Sequence, residues 1–359
     1  MLQRTAPRTA PRTAPPTVRT AGPTAPRTVE PTVPPGAEPT VPPGARSGAA
    51  DPRITALRRF AISITVFNIV GHLFLGFEQA YLTPVVGLLT GYVVSLVLET
   101  VDAWARGRQP RYRGSARTFV NFLLPAHIAG LACAMLLYGN ESLWPTVFAV
   151  TVAVASKYLV RVRVGGALRH VLNPSNFGIS VTLLCFTWVS IAPPYQFTEF
   201  VRGPLDWLIP LAVLASGTML NAKLTHRVPL ILGWVGGFVL QAVIRALFFH
   251  DSLVSILLVM AGVAFILYTN YMITDPGTTP TAPRNQVIFG LLTALTYGAL
   301  VVAHIAFGLF FALVIVCVGR LLWTLVSQRL RATRPAGSEP SAAVRPAPQP
   351  AVAASGQAS

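Results

Sequence analysis

The chain has 359 residues, of which 53% are hydrophobic and only 11% charged, with a mean hydropathy of +0.57. A soluble domain carries about 25% charged residues, so this composition excludes a soluble enzyme and points to a polytopic membrane protein. The formal net charge of +16 raises the question of nucleic acid, which the placement of the charge decides.

Residues 1–56 repeat Arg-Thr-Ala-Pro from Arg4, Arg8 and Arg12, then Glu-Pro-Thr-Val-Pro-Pro-Gly-Ala from Glu30 and Glu38. Proline withholds a backbone donor and little apolar surface is available to bury. The expectation is a disordered, polyproline-rich arm without the apolar run of a signal peptide. Residues 329–359 form a second tail rich in Ala, Pro and Ser, also expected to be disordered.

Residues 57–328 hold the folded part. Ten apolar segments approach the about 20 residues that a bilayer core requires. They are Phe60–Phe77, Tyr81–Leu98, Thr118–Tyr138, Trp144–Val160, Phe177–Ile191, Leu205–Leu220, Val228–Phe249, Leu253–Ile273, Val287–His304 and Phe307–Val326. The predicted fold is an all-α, polytopic membrane helix bundle of ten spans, divisible into two inverted halves of five.

Lys and Arg set the orientation. Connections on the side of the N-terminus carry twelve of them, from Arg106 to Arg284, whereas the opposite connections carry only Arg202. Both termini are therefore expected in the cytoplasm, at the inner (plasma) membrane. Topology then accounts for the basic excess, so the partner is the lipid bilayer and not nucleic acid. Asn68, Gln241 and Arg245 lie inside spans and should face the bundle interior. His72, His127 and His304 are read as packing histidines rather than haem ligands. Cys133, Cys185 and Cys317 form no CxxC pair, and no metal site is expected. With no Walker loop and no GxGxxG in a strand–helix setting, any electrons would have to come from a partner protein.

Two connectors carry unusual chemistry. The first runs from Gly165-Gly166 through Asn173-Pro174-Ser175-Asn176 to Gly178. The amides of Asn173 and Asn176 could meet the imide and carbonyl edge of a flavin ring, or Asn173 could simply cap the fifth helix. The second is Thr274-Asp275-Pro276-Gly277-Thr278-Thr279-Pro280, continuing to Pro283-Arg284. Asp275 at the membrane edge calls for a partner, for which Arg284 is the nearest candidate, or it caps local backbone donors.

In order, these segments resemble the Gly-Gly…Asn-Pro-x-Asn and Thr-Asp-Pro…Pro-Arg segments of the RnfD/NqrB family, membrane subunits of ion-translocating flavin electron-transfer complexes. The resemblance covers about residues 57–326. Together with Ile191-Ala192-Pro193-Pro194-Tyr195-Gln196-Phe197-Thr198-Glu199, it is closest to an actinobacterial branch named for enediyne biosynthesis. It implies a redox subunit with a non-covalent flavin (riboflavin or FMN) or quinone near Asn173, Asn176, Thr274 and Asp275, working with other redox or biosynthetic proteins. The family attaches FMN to a threonine in a Ser-Gly-Ala-Thr motif after the fifth span. The corresponding loop, Pro193 to Gly203, lacks it, and Ser216-Gly217-Thr218 lies inside the sixth span, so covalent FMN is not expected. The alternatives are an exporter of a secondary metabolite and a membrane scaffold for biosynthetic enzymes.

Overall fold

Side-chain size sorts the faces of these helices in the opposite sense to a soluble protein. In α2 (Leu82–Ala105) the buried positions are Thr83, Gly87, Gly91, Ser95, Glu99 and Ala103, small or polar and four apart. Val85, Leu89, Val93, Val97 and Val101, also four apart, point outward and are exposed. Large apolar side chains facing out and small ones packed within suit a hydrocarbon solvent. Exposed Trp104, Trp144, Trp207 and Trp323 supply the amphipathic rings favoured at membrane interfaces.

The computed structural model describes residues 52–164 and 167–332. The expected arm up to residue 51, Gly165, Gly166 and the tail from residue 333 lie outside the described residues. In chain order the helices are α1 (Pro52–Leu73), α2, α3 (Ala116–Leu136), α4 (Trp144–Leu159), α5 (Pro174–Cys185) and α6 (Leu205–Leu220). They continue with α7 (Val228–Phe248), α8 (Leu253–Leu258), α9 (Val263–Leu267), α10 (Pro283–Val302) and α11 (Gly308–Ala332). Thus α1 starts inside the stretch assigned to the arm, and α11 runs past residue 329. Wide helical turns follow α6 at Asn221–Thr225 and α9 at Tyr268–Met272. Two short antiparallel pairs complete the fold: β1 (Leu137–Tyr138) with β4 (Ser190–Ile191), and β2 (Arg161–Val164) with β3 (Ala167–His170).

The chain is an all-α helix bundle of membrane type, and each of the ten expected segments is helical. Their lengths amend the count. Among the described residues seven helices are long and apolar enough to cross a membrane, and the pair α8 and α9, bent by 64° at Gly262, has the length and composition of one broken span or of a re-entrant loop. The expected fourth and fifth spans are helices of 16 and 12 residues, short of the about 20 that a straight crossing needs. Asn173 starts α5 ahead of the expected Phe177, and the chain leaves the helix after Cys185 to form β4.

Some packing pairs recur along the chain. α1 packs on α3 as α6 does on α9, α2 on α4 as α7 on α10, and α4 on α5 as α10 on α11. The basic connections gather at one end. Arg161 reaches Asp102, Gln328 donates to the Arg163 carbonyl, and Arg227 donates to the Pro276 and Pro280 carbonyls. At the other end Gln79 and Gln196 both donate to the Met135 carbonyl beside the β1–β4 pair. Of the polar residues expected inside, Asn68 and Gln241 are buried, and Arg245 pairs with Asp251 at 2.7 Å. His127 is held by Thr65 and Tyr92, each at 2.7 Å.

Two apolar clusters form the interior. One centres on Trp234, Phe238, Leu230 and Ile179, the other on Ile64, Leu131, Phe197 and Leu267. A cavity runs along their seam, touching Ala129, Tyr268 and Met272 of the first and Ile64, Met135 and Phe197 of the second.

Candidate functional site: a cavity with a basic mouth

The cavity has a volume of about 930 Å³. Its wall is made by α1, α3, the end of α4, the start of α5 and the turn after α9. Lys and Arg enter it from the arginine-rich end as Arg53, Arg111, Lys157, Arg161, Arg169 and Arg227, against Asp275 as the one acid among the described lining residues. Beyond this mouth the lining is apolar and aromatic. Phe60 and Phe67 meet Tyr271 edge-on at 5.3 and 5.6 Å, and Phe67 meets Phe197 at 6.4 Å. Pro193, Pro194 and Gln196 line the far end.

Local sequence explains how α5 enters this wall. Asn173 is its N-cap: the side-chain oxygen accepts from the Asn176 backbone N–H at 3.1 Å, and Pro174 occupies the first helical position. The capping role foreseen for Asn173 is therefore present. Its amide nitrogen has a second task, donating to the Met272 carbonyl at 2.8 Å. That bond joins the two segments singled out in the sequence, which are far apart along the chain. Asn176 is 1% exposed and donates from Nδ2 to the Phe310 carbonyl at 2.9 Å, fastening α5 to α11, while its Oδ1 has no partner. Behind them Gly178 lies against the Ala149 carbonyl, so a Cβ there would collide with α4 backbone.

Thr274 is buried and donates to the Asn270 carbonyl at 2.6 Å. Asp275 does not pair with Arg284. Its Oδ1 accepts from the Gly277 backbone N–H at 3.0 Å and its Oδ2 from the Thr278 hydroxyl at 3.2 Å, forming a local turn. Gly277 sits against the imidazole of His170, which places β3 on this turn. Burial lowers the His170 pKa, opposed by the charge of Asp275. Asn173, Thr274 and Asp275 line the cavity, whereas Asn176 holds α5 from behind it.

Arg53 fell in the stretch assigned to the arm, and the other cations in the wall are residues that sequence reasoning used only to orient the chain. Lys157 donates to the Pro125 carbonyl at 3.1 Å. Arg161 lies over the Tyr158 ring at 4.7 Å and pairs with Asp102. Arg227 is 4% exposed, both of its terminal nitrogens donate to carbonyls of the 276–280 loop, and its Nε has no partner. Burial lowers its pKa. The hairpin that carries Arg169 was also missed, although alternating Arg161-Val162-Arg163-Val164 followed by Gly165-Gly166 is a hairpin signal.

Ser216-Gly217 has a packing role. The Ser216 hydroxyl meets that of Tyr271 at 2.7 Å, and Gly217 lies against the side chain of Asn270. Among the described residues, no group of three or more His, Cys, Asp and Glu could hold a metal ion. No protein-family model and no curated protein matches the chain.

Proposed function

We propose that this chain is a membrane redox subunit that holds a non-covalent flavin or a quinone in the cavity between α1, α3, α5 and α9. The observation that carries the reading is the cavity itself. Its about 930 Å³ lies at the upper part of the ~300–1,000 Å³ range of ligand pockets. It combines a polar mouth with an aromatic interior, as a ring cofactor with one polar edge requires. Asn173 and the Thr274–Asp275 segment shape its wall, and Asn176 fixes α5 behind it. The amide nitrogens of both asparagines are already bonded within the protein, so they act on a ligand through the shape of the wall.

The resemblance to RnfD/NqrB subunits supports the same reading, and a role in enediyne-type secondary metabolism rests on that resemblance alone. On this account the arginine-rich end faces the cytoplasm, both termini lie there, and partner proteins supply and take up the electrons. A second reading, export of a secondary metabolite, is favoured by one feature. The cavity wall extends from Arg169 at one end to Pro193 and Pro194 at the other, beside a helix broken at Gly262. The absorption spectrum and solvent extract of the purified full-length protein decide between them. Oxidised-flavin bands that bleach on reduction, or an extracted quinone, are expected. A folded, colourless protein with no quinone would turn the assignment to transport.

A further inference from the structure

Charge at the cavity mouth is out of balance. Lys157 and Arg227 hydrogen-bond only to neutral backbone carbonyls, of Pro125, Pro276 and Pro280. Asp275, the acid in the lining, has its oxygens turned to Gly277 and Thr278. Among the described residues no ion pair within 4 Å includes Lys157, Arg169, Arg227 or Asp275. Two other cations at this end are paired with acids: Arg108 bridges Glu99 and Asp102, and Arg161 meets Asp102. A buried cation without a counter-charge is costly unless a ligand supplies one. Arg227 is buried with its Nε unpartnered, on the cavity wall. The start of α5, a helix of 12 residues, presents Asn173, Pro174 and Ser175 to the same space, and a helix N-terminus favours an anion.

We propose that the cavity takes a ligand with an anionic phosphate head on a large apolar body, the head lying among Lys157, Arg169, Arg227 and the start of α5. The body lies along Phe60, Phe67, Met135, Phe197 and Tyr271. This rests on the cavity being the ligand site, as proposed above. It sharpens that reading by selecting FMN over uncharged riboflavin. The same head chemistry is offered by an anionic phospholipid, and the experiment separates the two.

Full-length protein in neutral detergent is titrated with FMN and with riboflavin, followed by flavin fluorescence, and then with phosphatidylglycerol as competitor. FMN is expected to bind at least about tenfold more tightly than riboflavin, the scale of one charge-assisted contact. Arg227→Gln should remove that preference. Arg169→Gln, on the exposed hairpin, should weaken it without risk to the fold. Equal affinity for FMN and riboflavin would overturn the anionic-head proposal and leave the flavin reading standing. If neither flavin binds but phosphatidylglycerol does, and loses affinity in both variants, the anionic head is upheld with a lipid source and the flavin reading falls. If none of the three binds, both fail.

Discussion

Asn173 joins three things at one position: the cap of α5, the turn after α9 and the cavity wall. Asn173→Ala removes a cap worth about 1 kcal/mol and a buried bond worth about 0.5–1.5 kcal/mol. Thermal unfolding in detergent should register a loss of about 2 kcal/mol, and an unchanged midpoint would show that neither contact matters. Asn173→Asp keeps the cap but not the bond to Met272, so it should fall between the two. His170 adds a pH dependence. Its folded pKa lies below the unfolded value because partial burial disfavours the charged ring, opposed by Asp275 and aided by Lys157 and Arg161. The stability it contributes is therefore present above about pH 6.5 and lost as pH falls through the folded pKa. The midpoint of the wild type should drop more steeply below pH 6.5 than that of His170→Gln; parallel curves would contradict this. At this scale the sequence exposed the asparagines and Asp275, because amides and acids beside spans are conspicuous. It hid Lys157 and Arg227, because a cation at a helix end looks the same whether it faces solvent or a cavity.

At the scale of elements, α5 is positioned by what it lacks. Gly178 lets it approach the α4 backbone at Ala149, so Gly178→Val should overpack this crossing and cost about 1–3 kcal/mol, read as a lowered unfolding midpoint. A second fastening is the buried carboxylate of Glu99, which accepts from Arg108 at 2.6 Å and from the Arg111 backbone N–H at 2.9 Å. These bonds fold the α2–α3 connection back onto α2, and Tyr158 of α4 also donates to Glu99 at 3.3 Å. Arg108→Met leaves that charge short of its partner, and breaking a buried pair costs about 3–5 kcal/mol. A midpoint equal to wild type would show the pair to be dispensable. Apolar runs made all ten helical segments legible, since hydropathy records how much surface is greasy. Hydropathy does not record direction, so the 64° bend at Gly262 passed as one continuous span. Nor does it fix helix length, because the 12 residues of α5 are set by its cap and by the departure of the chain into β4.

For the whole molecule, the basic connections that meet Asp102 and the 276–280 loop share one end. Orientation across the membrane is tested by Arg113→Cys and Glu141→Cys, each in a background without Cys133, Cys185 and Cys317. In intact cells an impermeant thiol reagent should spare the first and label the second; the reverse would invert the topology. The central claim is that the cavity along the seam of the two apolar clusters holds a redox cofactor. Its most direct test is the cofactor content of the purified full-length protein beside that of Ala132→Trp, which places a large ring in the cavity wall. The account predicts near-stoichiometric flavin or quinone in the wild type and loss of it in a variant that still folds. A folded wild type without cofactor, or a variant that retains it at the wild-type level, would contradict the account.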